Sequence, residues 1–196
     1  MKQKIILLSL IATTTSFGAS FVWGTGSTVS AFGSTEFKTA GNVGTMNLVY
    51  LSDGKTSSLY TVDGDALTAA TANATATPAT SGMASKKGKV SAEFDNSLVA
   101  NGNVFGAYFT YNDGTDTWYN FSSTTYTVTG LNLGTETLDN AVFAFDFATK
   151  TEAAASDVNV GGGWYKVVAS SPAVPEPGTA ALALLGIGML LKRRKA

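Results

Sequence analysis

Carboxylates are the acid–base groups available to this chain near neutral pH, because its 196 residues include no His and no Cys. Without an imidazole or a thiolate there is no disulfide, no Cys nucleophile, no Ser-His-Asp relay and no ordinary zinc site. A glycoside hydrolase needs two carboxyl groups about 5–10 Å apart. Two close pairs exist, Asp63 with Asp65 and Asp113 with Asp116. Each pair shares a Gly-containing turn, where an aspartate commonly accepts hydrogen bonds from nearby backbone N–H groups. The same stretches, Asp63-Gly64-Asp65 and Asn112-Asp113-Gly114-Thr115-Asp116, are oxygen-rich enough to suggest calcium. Neither completes an EF-hand loop, which needs a Glu at its twelfth position. Plain turns are therefore expected, with no catalytic residue, metal or cofactor, and a glycan-active enzyme is the last of the readings.

Aromatic side chains offer a second kind of chemistry. Phe105, Tyr108, Phe109, Tyr111, Trp118, Tyr119, Phe121 and Tyr126 fall within a short stretch. Most must fill a core, since a β domain of this size needs large side chains. Trp118 and Tyr119 are neighbours, so on a strand they point to opposite faces. This makes them the candidate ligand-facing aromatics, able to stack on a sugar ring from whichever face is open.

Charge narrows the partners. The whole chain has 13 Lys+Arg and 14 Asp+Glu, but the cations cluster at the two ends. Between Ser20 and Pro175 there are seven basic and thirteen acidic residues, a net −6. Nucleic-acid binding needs a basic face, so an acidic middle argues against it. Lys86, Lys87 and Lys89 form a local basic group, expected to be a solvated loop end.

Both ends read as targeting segments. At the start, Lys2 and Lys4 precede the apolar run 5–12, and small residues follow up to Ser20. That is the layout of a secretory signal peptide over residues 1–20. Small residues one and three positions before the cut occur twice, for Gly18 with Ser16 and for Ser20 with Gly18. At the other end, Val174-Pro175-Glu176-Pro177 breaks any preceding strand or helix. An uncharged apolar run, 180–191, follows, and then Lys192, Arg193, Arg194 and Lys195. As a helix, 178–191 spans roughly 21 Å at ~1.5 Å per residue, short of the ~30 Å hydrocarbon core. The four cations suit a cytoplasmic membrane face better than the edge of a protein core. No polar face interrupts the run, so an amphipathic helix docked on the domain does not fit.

The order of motif, short apolar helix and basic tail over 174–196 resembles the PEP-CTERM sorting signal, with Pro175-Glu176-Pro177 matching its namesake triplet. The resemblance implies membrane capture through the C-terminal helix, cleavage near the motif by an exosortase, and delivery to the envelope, surface or matrix of a bacterium that makes exopolysaccharide. A sortase signal of the L-P-x-T-G type shares the three-part layout, but here Pro177 stands in place of its threonine.

The elements that must carry these residues are strands. Runs at 46–50, 58–62, 89–94, 104–111, 117–121, 124–131 and 164–168 are rich in β-branched and aromatic residues and are bounded by turn signals. Residues 141–147, with Val142, Phe143, Phe145 and Phe147, are apolar on both faces and predict a central buried strand. Residues 66–85 are 13 of 20 Ala or Thr and read as a long surface loop. The expected organisation is a signal peptide (1–20), an all-β domain of antiparallel sandwich or jelly-roll type (21–168), a linker (169–173) and a sorting signal (174–196). The expected function is that of an exported, non-catalytic surface or matrix-associated protein. A carbohydrate-binding or adhesive module, with polysaccharide as partner, is the alternative.

Overall fold

The computed structural model describes residues 19–32, 35–36, 44–80, 83, 88–131 and 137–168. The segments read as signal peptide up to Gly18, as linker and as sorting signal lie outside the described residues, as do Lys86 and Lys87. Among the described residues no helix is long and apolar enough to cross a membrane.

The chain is all-β. Its strands are β1 (Ser20–Thr25), β2 (Ser30–Ala31), β3 (Thr35–Glu36), β4 (Thr45–Leu51), β5 (Tyr60–Asp63), β6 (Ala66–Ala69), β7 (Ala74–Ala76), β8 (Ser91–Asp95), β9 (Val104–Asn112), β10 (Thr117–Phe121), β11 (Tyr126–Thr127), β12 (Thr137–Phe143), β13 (Lys150–Ala153) and β14 (Trp164–Val167). Two single-turn 3₁₀ helices, Thr56–Leu59 and Ala155–Asp157, complete it. The large sheet runs β13-β14-β10-β9-β4-β7, and β11 continues the β10 side of β9. Ser122 bridges the gap between β10 and β11: its Oγ accepts from the Ala107 N–H at 3.2 Å and donates to the Thr124 carbonyl at 2.9 Å. The small sheet runs β12-β1-β8.

Period-2 alternation explains the layering. Phe21 and Trp23 of β1, Phe94 of β8, and Ala141 and Phe143 of β12 point into one core with Met46, Leu48, Phe105, Phe109, Trp118 and Trp164 of the large sheet. The small sheet therefore covers one face of the large one. The opposite face carries Val49, Leu51, Tyr108, Phe121 and Tyr165, and is covered by Leu59, Tyr60, Leu67 and Val158 from the hairpin and the 3₁₀ turns. Gly24 is required by close approach, since a Cβ there would lie 2.0 Å from the Val90 carbonyl oxygen. Thr25 binds the same residue, its N–H donating to Val90 O at 3.0 Å and its Oγ1 accepting from Val90 N at 3.1 Å.

Five expectations change. The pairing is mixed rather than purely antiparallel, because β1 with β12 and β13 with β14 are parallel. Residues 66–85 hold two strands, β6 paired with β5 and β7 paired with β4. There, β-branched Thr68 and Thr75 face solvent, while Leu67 and Ala69 of β6 and Ala74 and Ala76 of β7 turn inward and are half-buried. Residues 141–147 are not a central strand. β12 ends at Phe143 and forms one edge of the small sheet, and Val142 is 57% exposed. Phe145 and Phe147 follow in a loop that folds back onto Phe109, at ring-centroid distances of 5.0 and 5.6 Å. The apolar character on both sides of this segment thus comes from a strand followed by a folded-back loop. The 124–131 run shortens in the same way to β11 alone. β1 also begins at Ser20, one residue inside the stretch read as signal peptide.

Candidate functional site

Of the two candidate aromatics, the structure turns neither fully to solvent. Trp118 is 1% exposed and belongs to the core between the sheets. Its Nε1 donates to Asp113 Oδ2 at 2.9 Å. The Lys150 ammonium lies 4.6 Å from its ring and 4.7 Å from that of Phe32, and Lys166 approaches the Trp118 ring at 5.9 Å. A cation over the ring face is held by the aromatic quadrupole, so this ring is already occupied. Tyr119 points the other way, as alternation requires, and is half-buried with its ring parallel to that of Phe121 at 6.1 Å. Trp118 is thus corrected from a ligand-facing candidate to a core residue, because Phe32 and Lys150 close over its ring. Every described aromatic side chain is buried or half-buried, and the large apolar residues exposed among the described ones are Val62, Met83 and Val142. No stacking platform of exposed rings exists among the described residues.

The carboxylates behave as turn groups. Asp113 Oδ1 accepts from the N–H groups of Thr115 at 2.9 Å and Asp116 at 2.8 Å, while Oδ2 takes the Trp118 donor. The two backbone donors, then the indole, hold its pKa down to about 2. A carboxylate with three internal donors is held ionised and is a weak base toward a substrate proton. Asp116 pairs instead with Lys166 at 2.9 Å, and Lys166 also reaches Glu152 at 3.4 Å. The Asp116 contact, then the Glu152 one, raises the Lys166 pKa. Asp63 and Asp65 lie in the exposed β5–β6 turn. No group of three or more Asp, Glu, His or Cys able to hold a metal occurs among the described residues.

Sequence reasoning missed two features. One is the ammonium pair Lys150 and Lys166, which no local pattern marks because β13 and β14 bring them to Trp118 from a distant stretch. The other is a polar groove of about 470 Å³ lined by Lys55, Thr56, Ser57, Tyr60, Ser123 and Thr125 with neighbouring residues. Its hydroxyls come from two separate stretches, 56–60 and 123–125.

The exit of the chain is well defined. β14 is hydrogen-bonded between β13 and β10, and the Val168 N–H still donates to the Ala153 carbonyl at 3.0 Å. Lys166 ties this exit strand to the hairpin before β10 and to β13. Pro175 follows Val168 by seven residues. At ~3.3–3.6 Å per residue, that segment reaches at most about 25 Å.

No curated protein and no solved structure matches the chain. A family model does match the segment beyond the exit strand, from Ala173 to Lys195. The motif implies processing by an exosortase and export to the bacterial cell envelope. Residues 173–195 are a PEP-CTERM protein-sorting motif.

Proposed function

We propose that this chain is an exported, non-catalytic surface or matrix-associated protein. It is directed across the membrane by the signal peptide read over residues 1–20, held there by the apolar run 180–191 with Lys192, Arg193, Arg194 and Lys195 inside, and released by cleavage near Pro175-Glu176-Pro177. The observation that carries this reading is the motif match at 173–195. The fold supports it in two ways. Asp113 serves its turn and Asp116 is paired with Lys166, and the stretch from Val168, the last described residue, to Pro175 spans at most about 25 Å. A carbohydrate-binding role is the second reading. The feature in its favour is the hydroxyl-lined groove beside Tyr60 rather than the Trp118–Tyr119 pair.

The test is replacement of Pro175, Glu176 and Pro177 by Ala, followed by cell fractionation. Export is expected to continue while the chain stays in the membrane at its uncut mass. Arrival at the surface at the wild-type mass would reduce 175–177 to a linker and remove the sorting claim. Deleting residues 169–173 brings Pro175 to within about 7 Å of Val168 and is expected to slow release with export unchanged. For the second reading, exopolysaccharide is titrated against the protein and its Tyr60→Ala variant, and equal or absent binding counts against the groove.

A further inference from the structure

The start of the mature chain can be placed to a single bond. Two bonds follow small residues at the required positions, Gly18–Ala19 and Ser20–Phe21. We propose that export cuts Gly18–Ala19, so that the mature protein begins Ala19-Ser20-Phe21. The proposal rests on the reading of the N-terminal segment as a secretory leader. In the step, a leader peptidase adds one water across the bond. The C–N bond breaks, Gly18 leaves as a carboxylate, and the Ala19 nitrogen becomes the new α-ammonium.

β1 discriminates between the two bonds. It is the middle strand of the small sheet and the strand through which β12 and β8 are joined. Ser20 is already part of it, paired with Asp95 on β8 and with Thr137 on β12. The Ser20 hydroxyl donates to Glu93 Oε1 at 2.6 Å. Phe21 is 0% exposed, its ring 5.6 Å from Phe94, 5.1 Å from Phe105 and 5.0 Å from Tyr126. A cut at Ser20–Phe21 removes the first paired residue and its hydroxyl contact. It also places a charged ammonium on a residue that the fold withdraws from water, which is costly.

A cut at Gly18–Ala19 does neither. Ala19 packs against the same core but is only half-buried, and it precedes the first paired residue of β1. Its ammonium keeps access to water. The register places Asp95 opposite Ser20, and Glu93, which accepts from Ser20, is also exposed on β8. The new cation therefore emerges beside two carboxylates.

The experiment uses the full chain expressed in an exporting bacterium, with N-terminal sequencing and intact mass of the exported product. Ala19 as first residue is the expected result. Phe21 as first residue overturns the proposal but keeps the leader, whereas Met1 as first residue overturns the leader reading and the proposal together. A second variant tests the structural reason. Ser16→Phe removes the small residue three before Ala19 and leaves the requirements of the Ser20–Phe21 bond intact. The expected outcome is loss of the Ala19 product, with any chain cut at Phe21 losing protease resistance relative to wild type. A Phe21 product as resistant as wild type would show that β1 does not need Ser20, and would overturn the structural ground for choosing Gly18–Ala19.

Discussion

Both faces of the large sheet are apolar, yet they are closed by different means. One face meets a second sheet, and its most deeply buried aromatic side chains are Phe105, Phe109, Trp118 and Trp164, each 1% exposed or less, with Tyr111 less buried at 9%. The other meets a hairpin and two 3₁₀ turns, and much of its aromatic surface is tyrosine. There the Tyr60 hydroxyl donates to the Val158 carbonyl at 2.6 Å and the Tyr108 hydroxyl to the Ala70 carbonyl at 2.8 Å. Burial raises the pKa of both phenols. A sheet laid on a sheet excludes water across its whole width. A hairpin cover is narrow, so rings beneath it reach its rim, where a phenol finds a polar partner that a phenyl cannot use. The same inward alternation thus yields a dry core on one side and a hydroxyl-tipped one on the other.

The contrast between the faces is most exposed to failure at Phe109, which packs on Phe145, Phe147 and Trp164 in the dry core. Phe109→Ala is expected to cost about 3–5 kcal/mol in a denaturation curve of the mature domain. A loss under ~1 kcal/mol would mean that the two sheets do not seal this face. Phe145→Ala comes next. Its ring touches the same cluster but is half-buried in a loop, so about 1.5–3 kcal/mol is expected. A loss equal to that of Phe109 would restore 141–147 as a buried strand.

On the second face, Tyr108→Phe keeps the ring and removes its hydrogen bond to Ala70. The expected loss is about 0.5–1.5 kcal/mol, read from the shift in denaturation midpoint at unchanged slope. A neutral result would make the two faces equivalent. The smallest effect belongs to the sheet end, where Asp113 binds Trp118. Its pKa falls from 3.8 unfolded to about 2 folded, so its contribution is complete above pH 3.8 and is lost as pH falls toward about 2. Asp113→Asn is expected to flatten the stability–pH curve in that window and to leave its shape above pH 5 unchanged. An identical acid limb in wild type and variant would show that the carboxylate does not hold this turn.

Legibility in the sequence depends on what each signal encodes. The Asp113 turn was readable, because Asn112-Asp113-Gly114 is a local chemical pattern whose donors lie two and three residues away. The opposite facing of Trp118 and Tyr119 was readable too, from alternation alone. That Trp118 is the buried one was not, since its cover comes from Phe32 and Lys150, far away in the chain. The polar groove was illegible for the same reason, its hydroxyls being gathered from separated loops.

By itself, the sequence determined the all-β class and the sorting motif of residues 173–195. Strand alternation is local in the chain, and a sorting motif is read as a linear order of residues, so neither depends on distant neighbours. Only the tertiary structure decided that β12 is an edge, that β1 pairs in parallel with it, and that Ala/Thr-rich residues 66–69 and 74–76 are strands. Alternation says which side chains share a face. Whether that face meets water or another sheet depends on non-local pairing and the surface it removes from solvent.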